Sequence, residues 1–145
     1  MSKLDFKRSF VPVRIAVLTV SDTRTLSEDK SGDLLATRIR EANHVLVRRE
    51  NTQDEVGKIT RILKYSIQDP ETDVVISTGG TGLTGRDVTP EAFRSIFDKE
   101  IEGFGEMFRF LSFQKIGTST LQSRAVAGVA GGTYLFALPG SPSAC

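Results

Sequence analysis

The groups able to do chemistry in this chain are concentrated between Thr78 and Asp87. The run reads Thr78-Gly79-Gly80-Thr81-Gly82-Leu83-Thr84-Gly85-Arg86-Asp87, followed by Val88-Thr89-Pro90-Glu91-Ala92. Glycines let a backbone approach a ligand closely and turn its N–H groups toward an anion. Arg86 adds positive charge beside them, and Asp87 offers a carboxylate to a hard cation. A phosphate cradle and a metal-ready acid thus share one short loop. Asp54, in Thr52-Gln53-Asp54-Glu55, is the second acid candidate, and Glu106 a third. Asp54 also has a structural reading. Thr52 to Glu55 matches a capping box, and a carboxylate in a first helical turn is favoured by the helix dipole. Asp87 can likewise be a residue that only precedes a helix, and Glu106 a charge at a helix start.

Glycine spacing of this kind also serves other purposes. Gly80 to Gly85 matches G-x-G-x-x-G, but a dinucleotide site needs its helix to open within the glycines, and here the helix signal waits until Thr89-Pro90. Gly80 to Asp87 imitates a P-loop, yet Arg86-Asp87 stands where Lys-Ser/Thr is needed. A plain strand-to-helix turn also uses glycines. The chain has one histidine, His44, and one cysteine, Cys145. Neither a zinc site nor a Cys–His or Ser–His–Asp nucleophile can be assembled from them. His44 reads as a surface strand residue.

The elements that must position these groups follow from periodicity. Ile15 to Val20 and Val74 to Thr78 are short, apolar and β-branched, as buried parallel strands are. His44 to Arg49 reads as another strand. Ser31 can cap a helix over Leu34, Leu35, Ile39 and Ala42. Val56, Ile59, Ile62, Leu63 and Ile67 form one helical stripe that stops before Pro70. Thr89 as cap and Pro90 as first residue open a helix over Glu91 to Lys99. Gly103 to Glu106 opens one more, over Met107, Phe108 and Leu111. Gly131-Gly132 joins the runs Ala125–Ala130 and Tyr134–Leu138 as a hairpin. Alternating strands and helices give an α/β sandwich with a mostly parallel sheet. Ligands of such sheets bind beyond the carboxyl ends of the strands. The loops at 21–25, 77–88 and 139–142 should gather there.

Composition sets outer bounds. With 145 residues, 39% apolar and 26% charged, the chain fits one globular domain over 13–145 behind a polar arm at 1–12. A net charge of +1 and no basic run leave no nucleic-acid footprint. No apolar stretch suits a membrane span or a signal peptide, and the lone cysteine forms no internal disulfide, so a cytoplasmic location is expected.

The combination Thr78-Gly-Gly-Thr-Gly82 with Arg86-Asp-Val-Thr-Pro-Glu-Ala92 resembles the signature of the molybdopterin-binding family. Asp98 to Glu106, Gly117-Thr-Ser-Thr-Leu-Gln-Ser-Arg124 and Leu138-Pro-Gly-Ser141 match it as well, as does Ser21-Asp-Thr-Arg-Thr25. The resemblance extends from about Arg14 to Cys145. It implies a three-layer α/β/α sandwich with a C-terminal β-hairpin, and a homotrimer or a hexamer of two trimers. It implies molybdopterin as ligand and, as in the family's adenylyltransferases, transfer of AMP from ATP to the molybdopterin phosphate with magnesium. Asp54 and Asp87 match the functional aspartates, which would hold the metal. Thr78, Gly79, Gly80, Thr81 and Gly82, with Pro139, Gly140 and Ser141, match the phosphate- and pterin-binding loops. Ser21, Asp22, Arg86 and Glu106 are further candidates. A molybdopterin carrier without catalysis is the alternative in the same pathway. Family chains usually continue past Pro-Gly-Ser with a final helix, and this sequence stops at Cys145.

Overall fold

The computed structural model describes residues 5–145; residues 1–4, part of the expected polar arm, lie outside the described residues. Six strands alternate with four helices: β1 (Arg14–Val20), α1 (Lys30–Glu41), β2 (Val45–Thr52), α2 (Val56–Gln68), β3 (Val74–Thr78), α3 (Thr89–Arg94), β4 (Lys99–Glu100), α4 (Glu102–Ile116), β5 (Val126–Ala130) and β6 (Thr133–Leu138). They form one sheet in the order β2-β1-β3-β6-β5-β4. β2, β1, β3 and β6 run parallel, and β5 is antiparallel to both its neighbours. From β1 the chain builds outward to β2 on one side and to β3 on the other. That reversal leaves a crevice between β1 and β3, where open α/β sheets take ligands.

Side-chain alternation along β1 divides the core. Ala16, Leu18 and Val20 pack with Ile59 and Leu63 of α2 and with Ala92 and Phe93 of α3. Ile15 and Val17 face Leu35 and Ile39 of α1 on the other side. Phe104 of α4 meets Phe136 of β6 edge-to-face, with ring centroids 5.1 Å apart. The result is the expected three-layer sandwich. Phe93 has no exposed surface, and its burial contributes about 2–3 kcal/mol. The hairpin is present too. Gly131 and Gly132 lie at φ 56° and 83°, the positive pair that a tight two-residue turn between twisted strands requires.

Several boundaries differ from the sequence reading, each for a local reason. α1 is capped by Asp29, whose carboxylate accepts from the Gly32 N–H at 2.8 Å. Ser31 instead donates to the Gly140 carbonyl. β2 runs on to Thr52 because Ser21 and the end of β1 keep pairing with it, so the capping box at 52–55 does not form. Glu55 is the N-cap of α2 and makes no side-chain cap bond. Asp54 therefore sits in the strand-to-helix link, not in a first turn. α3 begins at Thr89, with Val88 as N-cap and Pro90 one position further in. The Thr89 N–H is taken by the Gly80 carbonyl. α3 ends at Arg94, not Lys99, because Asp98 and Ile101 donate to β5 and draw Lys99–Glu100 into the sheet. His44 precedes β2; its Nδ1 accepts from the Val13 N–H, and its ring lies 5.1 Å from that of Phe10.

Candidate functional site

Beyond the carboxyl ends of β1, β3 and β6 lies an open cavity of about 460 Å³. Its walls come from the three loops expected to gather there: Val20 to Arg24, Gly79 to Gly82 and Pro139-Gly140. Asp54 and Asp87 both line it, as does Asp22. Packing explains why the cradle is glycine. Gly79 lies at φ +102°, and a side chain there would strike the Val20 carbonyl. Gly80 lies at φ +67°, and a β-carbon would collide with Asp54 Oδ1 and Thr89 Oγ1. A β-carbon on Gly140 would come within 3.2 Å of Gly79 Cα, so the two loops meet backbone to backbone.

The loop does not offer all of its N–H groups. Gly79 donates to the Leu138 carbonyl, extending the β3–β6 ladder. The Gly82 N–H faces the Asp87 carboxylate. Gly80 and Thr81 carry the N–H groups that meet no protein acceptor among the described residues. An anion in this cradle would be bound chiefly through those two.

The two aspartates differ electrostatically. Asp87 accepts from Thr84 twice, through its N–H at 3.0 Å and its hydroxyl at 2.6 Å. The Thr84 hydroxyl chiefly, with the Thr84 and Gly82 N–H groups, holds its carboxyl below the ordinary range against the cost of partial burial. Asp54 moves the other way. Burial raises its pKa, and Asp22 and Asp87 add to the rise, while the Val88 N–H opposes it. Its Oδ1 is buried with no hydrogen-bond partner, and so is the nearby Thr89 hydroxyl. An unpaired buried carboxylate oxygen is costly, and a ligand, proton or cation is what it lacks.

The remaining candidates divide. Asp22 Oδ1 accepts from the Asp54 N–H, and its carboxylate forms a two-pronged ion pair with Arg86 at 2.9 and 3.0 Å. The positive charge that Arg86 was expected to add beside the glycines is committed to Asp22 in this structure, and Glu91 pairs with Arg124. Ser21 lines the cavity, and its hydroxyl accepts from the Thr23 and Arg24 N–H groups. Thr78 is buried and donates to the Pro139 carbonyl, so it supports the floor without lining it. Ser141 lies past Gly140, on a neighbouring small cavity. Glu106 is exposed on α4 and lines none of these walls.

Five lining residues were not among the site candidates read from the sequence: Val20, Thr23, Arg24, Gln122 and Ser123. Arg24 brings a guanidinium to the cavity and donates to the Gly140 carbonyl at 3.1 Å. Ser21 to Thr25 was a polar loop after a strand, and its arginine was the available signal. Gln122 ends a 3-10 turn and Ser123 follows it; their signal was the segment from Gly117 to Arg124 that resembles the family.

Two carboxylates and a cradle suit a particular kind of ion. No group of three or more His, Cys, Asp or Glu among the described residues forms a metal cage. Magnesium does not need one, since it commonly binds one or two carboxylates and completes its shell with water and substrate phosphates. The unpaired Asp54 Oδ1 and the ionised Asp87 fit that demand.

The chain is similar to known proteins over most of its length. A family model described as a probable molybdopterin binding domain matches residues 16–145. Molybdenum cofactor biosynthesis protein B of Escherichia coli K12 is 51% identical over 94% of this chain and 80% of its own length. A crystal structure of a molybdenum cofactor biosynthesis protein B superposes with a TM-score of 0.91 at 42% identity, covering 94% of this chain and 86% of the other. The tungsten cofactor synthesizing protein MoaB of Pyrococcus furiosus superposes at 0.83 with 36% identity, over 94% and 87% of the two chains. The chain belongs to the family of probable molybdopterin-binding domains, within the group that includes the molybdenum cofactor biosynthesis B proteins.

Proposed function

We propose that this protein binds molybdopterin in the cavity beyond β1, β3 and β6 and joins the molybdopterin phosphate to AMP taken from ATP. One observation carries the reading. Gly80 and Thr81 present unused N–H groups beside a buried Asp54 oxygen that has no partner, in a cavity also walled by Asp87. A phosphate fits the N–H groups, and a phosphate-bound cation fits the carboxylates.

A phosphate oxygen of molybdopterin attacks the α-phosphorus of ATP. A new P–O bond forms there, the bond to the bridging oxygen breaks, and pyrophosphate leaves with that electron pair. The difficulty is repulsion between anions, so positioning and charge stabilisation supply most of the catalysis. Asp54 and Asp87 would hold magnesium, which when bound neutralises phosphate charge. The Gly80 and Thr81 N–H groups fix one phosphate, and glycine at 79, 80 and 140 lets it come close. Arg24, which also lines the cavity, supplies cationic charge without leaving its Gly140 anchor. Thr84 keeps Asp87 ionised and aimed into the cavity. Association into trimers or hexamers and a cytoplasmic place of work belong to the same reading; no described helix is long and apolar enough to cross a membrane.

The test is direct. Purified protein is incubated with molybdopterin, ATP and magnesium, and adenylylated product and pyrophosphate are measured. Stoichiometric release of both supports the enzyme. Tight molybdopterin binding with no pyrophosphate would make the protein a carrier. Absence of binding would remove the reading altogether.

A further inference from the structure

Arg124 precedes β5, far in sequence from the glycine loop, yet its guanidinium is spent on that loop. Nε donates to the Thr81 carbonyl at 3.2 Å and to the Gly82 carbonyl at 2.9 Å. Nη2 donates to the Asp87 carbonyl at 2.7 Å, and Nη1 is paired with Glu91. A trans peptide points its N–H opposite to its C=O. The peptide whose carbonyl belongs to Thr81 carries the Gly82 N–H, and that N–H faces the Asp87 carboxylate. The peptide whose carbonyl belongs to Asp87 carries the Val88 N–H, and that N–H faces Asp54. Backbone contact agrees, since a β-carbon on Gly82 would come within 2.7 Å of Asp87 Oδ2.

We infer that Arg124 is the positioning residue of the site: one guanidinium fork grips three carbonyls, and two of those peptide units turn their N–H groups toward Asp87 and Asp54. Arg124 itself does not line the cavity. Its effect passes through the backbone, by orientation and by polarising each peptide so that its N–H donates more strongly. A planar fork can meet several carbonyls at once, whereas a lysine ammonium is a point donor. Glu91 takes the remaining nitrogen and keeps the fork from rotating. The inference rests on the proposed reaction only for its kinetic arm.

Arg124→Lys and Arg124→Gln test it in the full chain. Amide hydrogen exchange, followed by NMR, reads the clamp without any substrate. The Gly82 and Val88 amides should exchange at least about tenfold faster in both variants, with the Gly79 amide unchanged in its ladder. In the adenylylation assay kcat should fall about 10²-fold, with little change in KM for ATP, because alignment of the carboxylates is lost while the cradle remains. Lysine should not rescue either readout. Unchanged Gly82 and Val88 exchange, or a lysine variant equal to wild type, overturns the inference. Inactive wild-type protein would defeat the proposed reaction, and the exchange data would still decide the clamp. Should neither arginine variant fold, Glu91→Gln loosens only the outer nitrogen, and faster exchange of the same two amides is the expected result.

Discussion

The two ends of the same parallel strands are built on opposite terms. At the amino ends of β1 and β3, Arg14, Glu71 and Asp73 pair with one another. The Arg14 guanidinium grips Asp73 at 2.8 and 3.0 Å and reaches Glu71 at 3.1 Å, and the Arg14 N–H donates to Asp73 as well. The Asp73 backbone continues the pairing, accepting from Tyr134. These bonds hold the Asp73 carboxyl at about 2. At the carboxyl ends, Asp54 Oδ1 and Thr89 Oγ1 are buried and unpaired, and two glycines stand at positive φ. Asp54 is pushed up by burial where Asp73 is pulled down by its arginine. One end closes its hydrogen-bond accounts within the chain, and the other leaves them open for something that binds. Unsatisfied polar atoms and unusual backbone persist where the surrounding fold over-determines them, and such places are commonly sites.

Changes at the open end should therefore cost activity more than stability. Asp87→Asn removes a charge and little volume. Adenylylation should fall about 10²-fold or more while thermal unfolding barely moves. Product formation at the wild-type rate with saturating substrates would return Asp87 to a purely structural role and erase the contrast. Gly80→Val is the next largest effect. A β-branched residue is strained at positive φ and would press on Asp54 and Thr89. Calorimetric titration should show molybdopterin affinity lost from a protein whose sheet remains intact by circular dichroism.

A third region sharpens the comparison. On α4, Phe108 is half-buried against Phe104, with centroids 6.1 Å apart, whereas Phe110, Phe113 and Met107 are 64%, 56% and 57% exposed. Of the α4 aromatics, exposed Phe110 suits an oligomer contact better than half-buried Phe108. Phe110→Asp should shift sedimentation toward monomer with little loss of monomer stability, while Phe108→Asp should lower the melting temperature itself. An unchanged oligomer for Phe110→Asp would place the assembly surface elsewhere.

The smallest effect belongs to the closed end. With its folded pKa depressed, Asp73 stabilises the fold above its ordinary value of 3.8 and loses that contribution as pH falls toward about 2. Asp73→Asn should therefore melt at a slightly lower temperature than wild type at pH 6, with the difference shrinking below pH 3.8 and vanishing below about pH 2. The pair is one-third exposed, so solvent screening keeps the shift small. Adenylylation at neutral pH should not change.

Periodicity and turn chemistry by themselves determined the strands Ile15–Val20 and Val74–Thr78, the stripe of α2, the Gly131-Gly132 hairpin and the loop edge where the cavity lies. These rest on local rules: β-branched apolar runs, helical spacing and positive φ at glycine. The grouping of Asp54 with Asp87 came through resemblance to a family, since nothing local joins positions so far apart. Tertiary structure decided the rest. Thr52 is a strand residue because a parallel partner outbids a capping box, which frees Asp54 to enter the cavity. Arg86 turns to Asp22 and Arg124 to the glycine loop because each meets its partner only after the sheet has formed. Glu106 matched a motif, yet α4 carries it to a different part of the surface. The spacing of residues along a chain fixes what can form within a few turns; which charge meets which, and which atom is left buried without a partner, depends on distances that only the folded sheet sets.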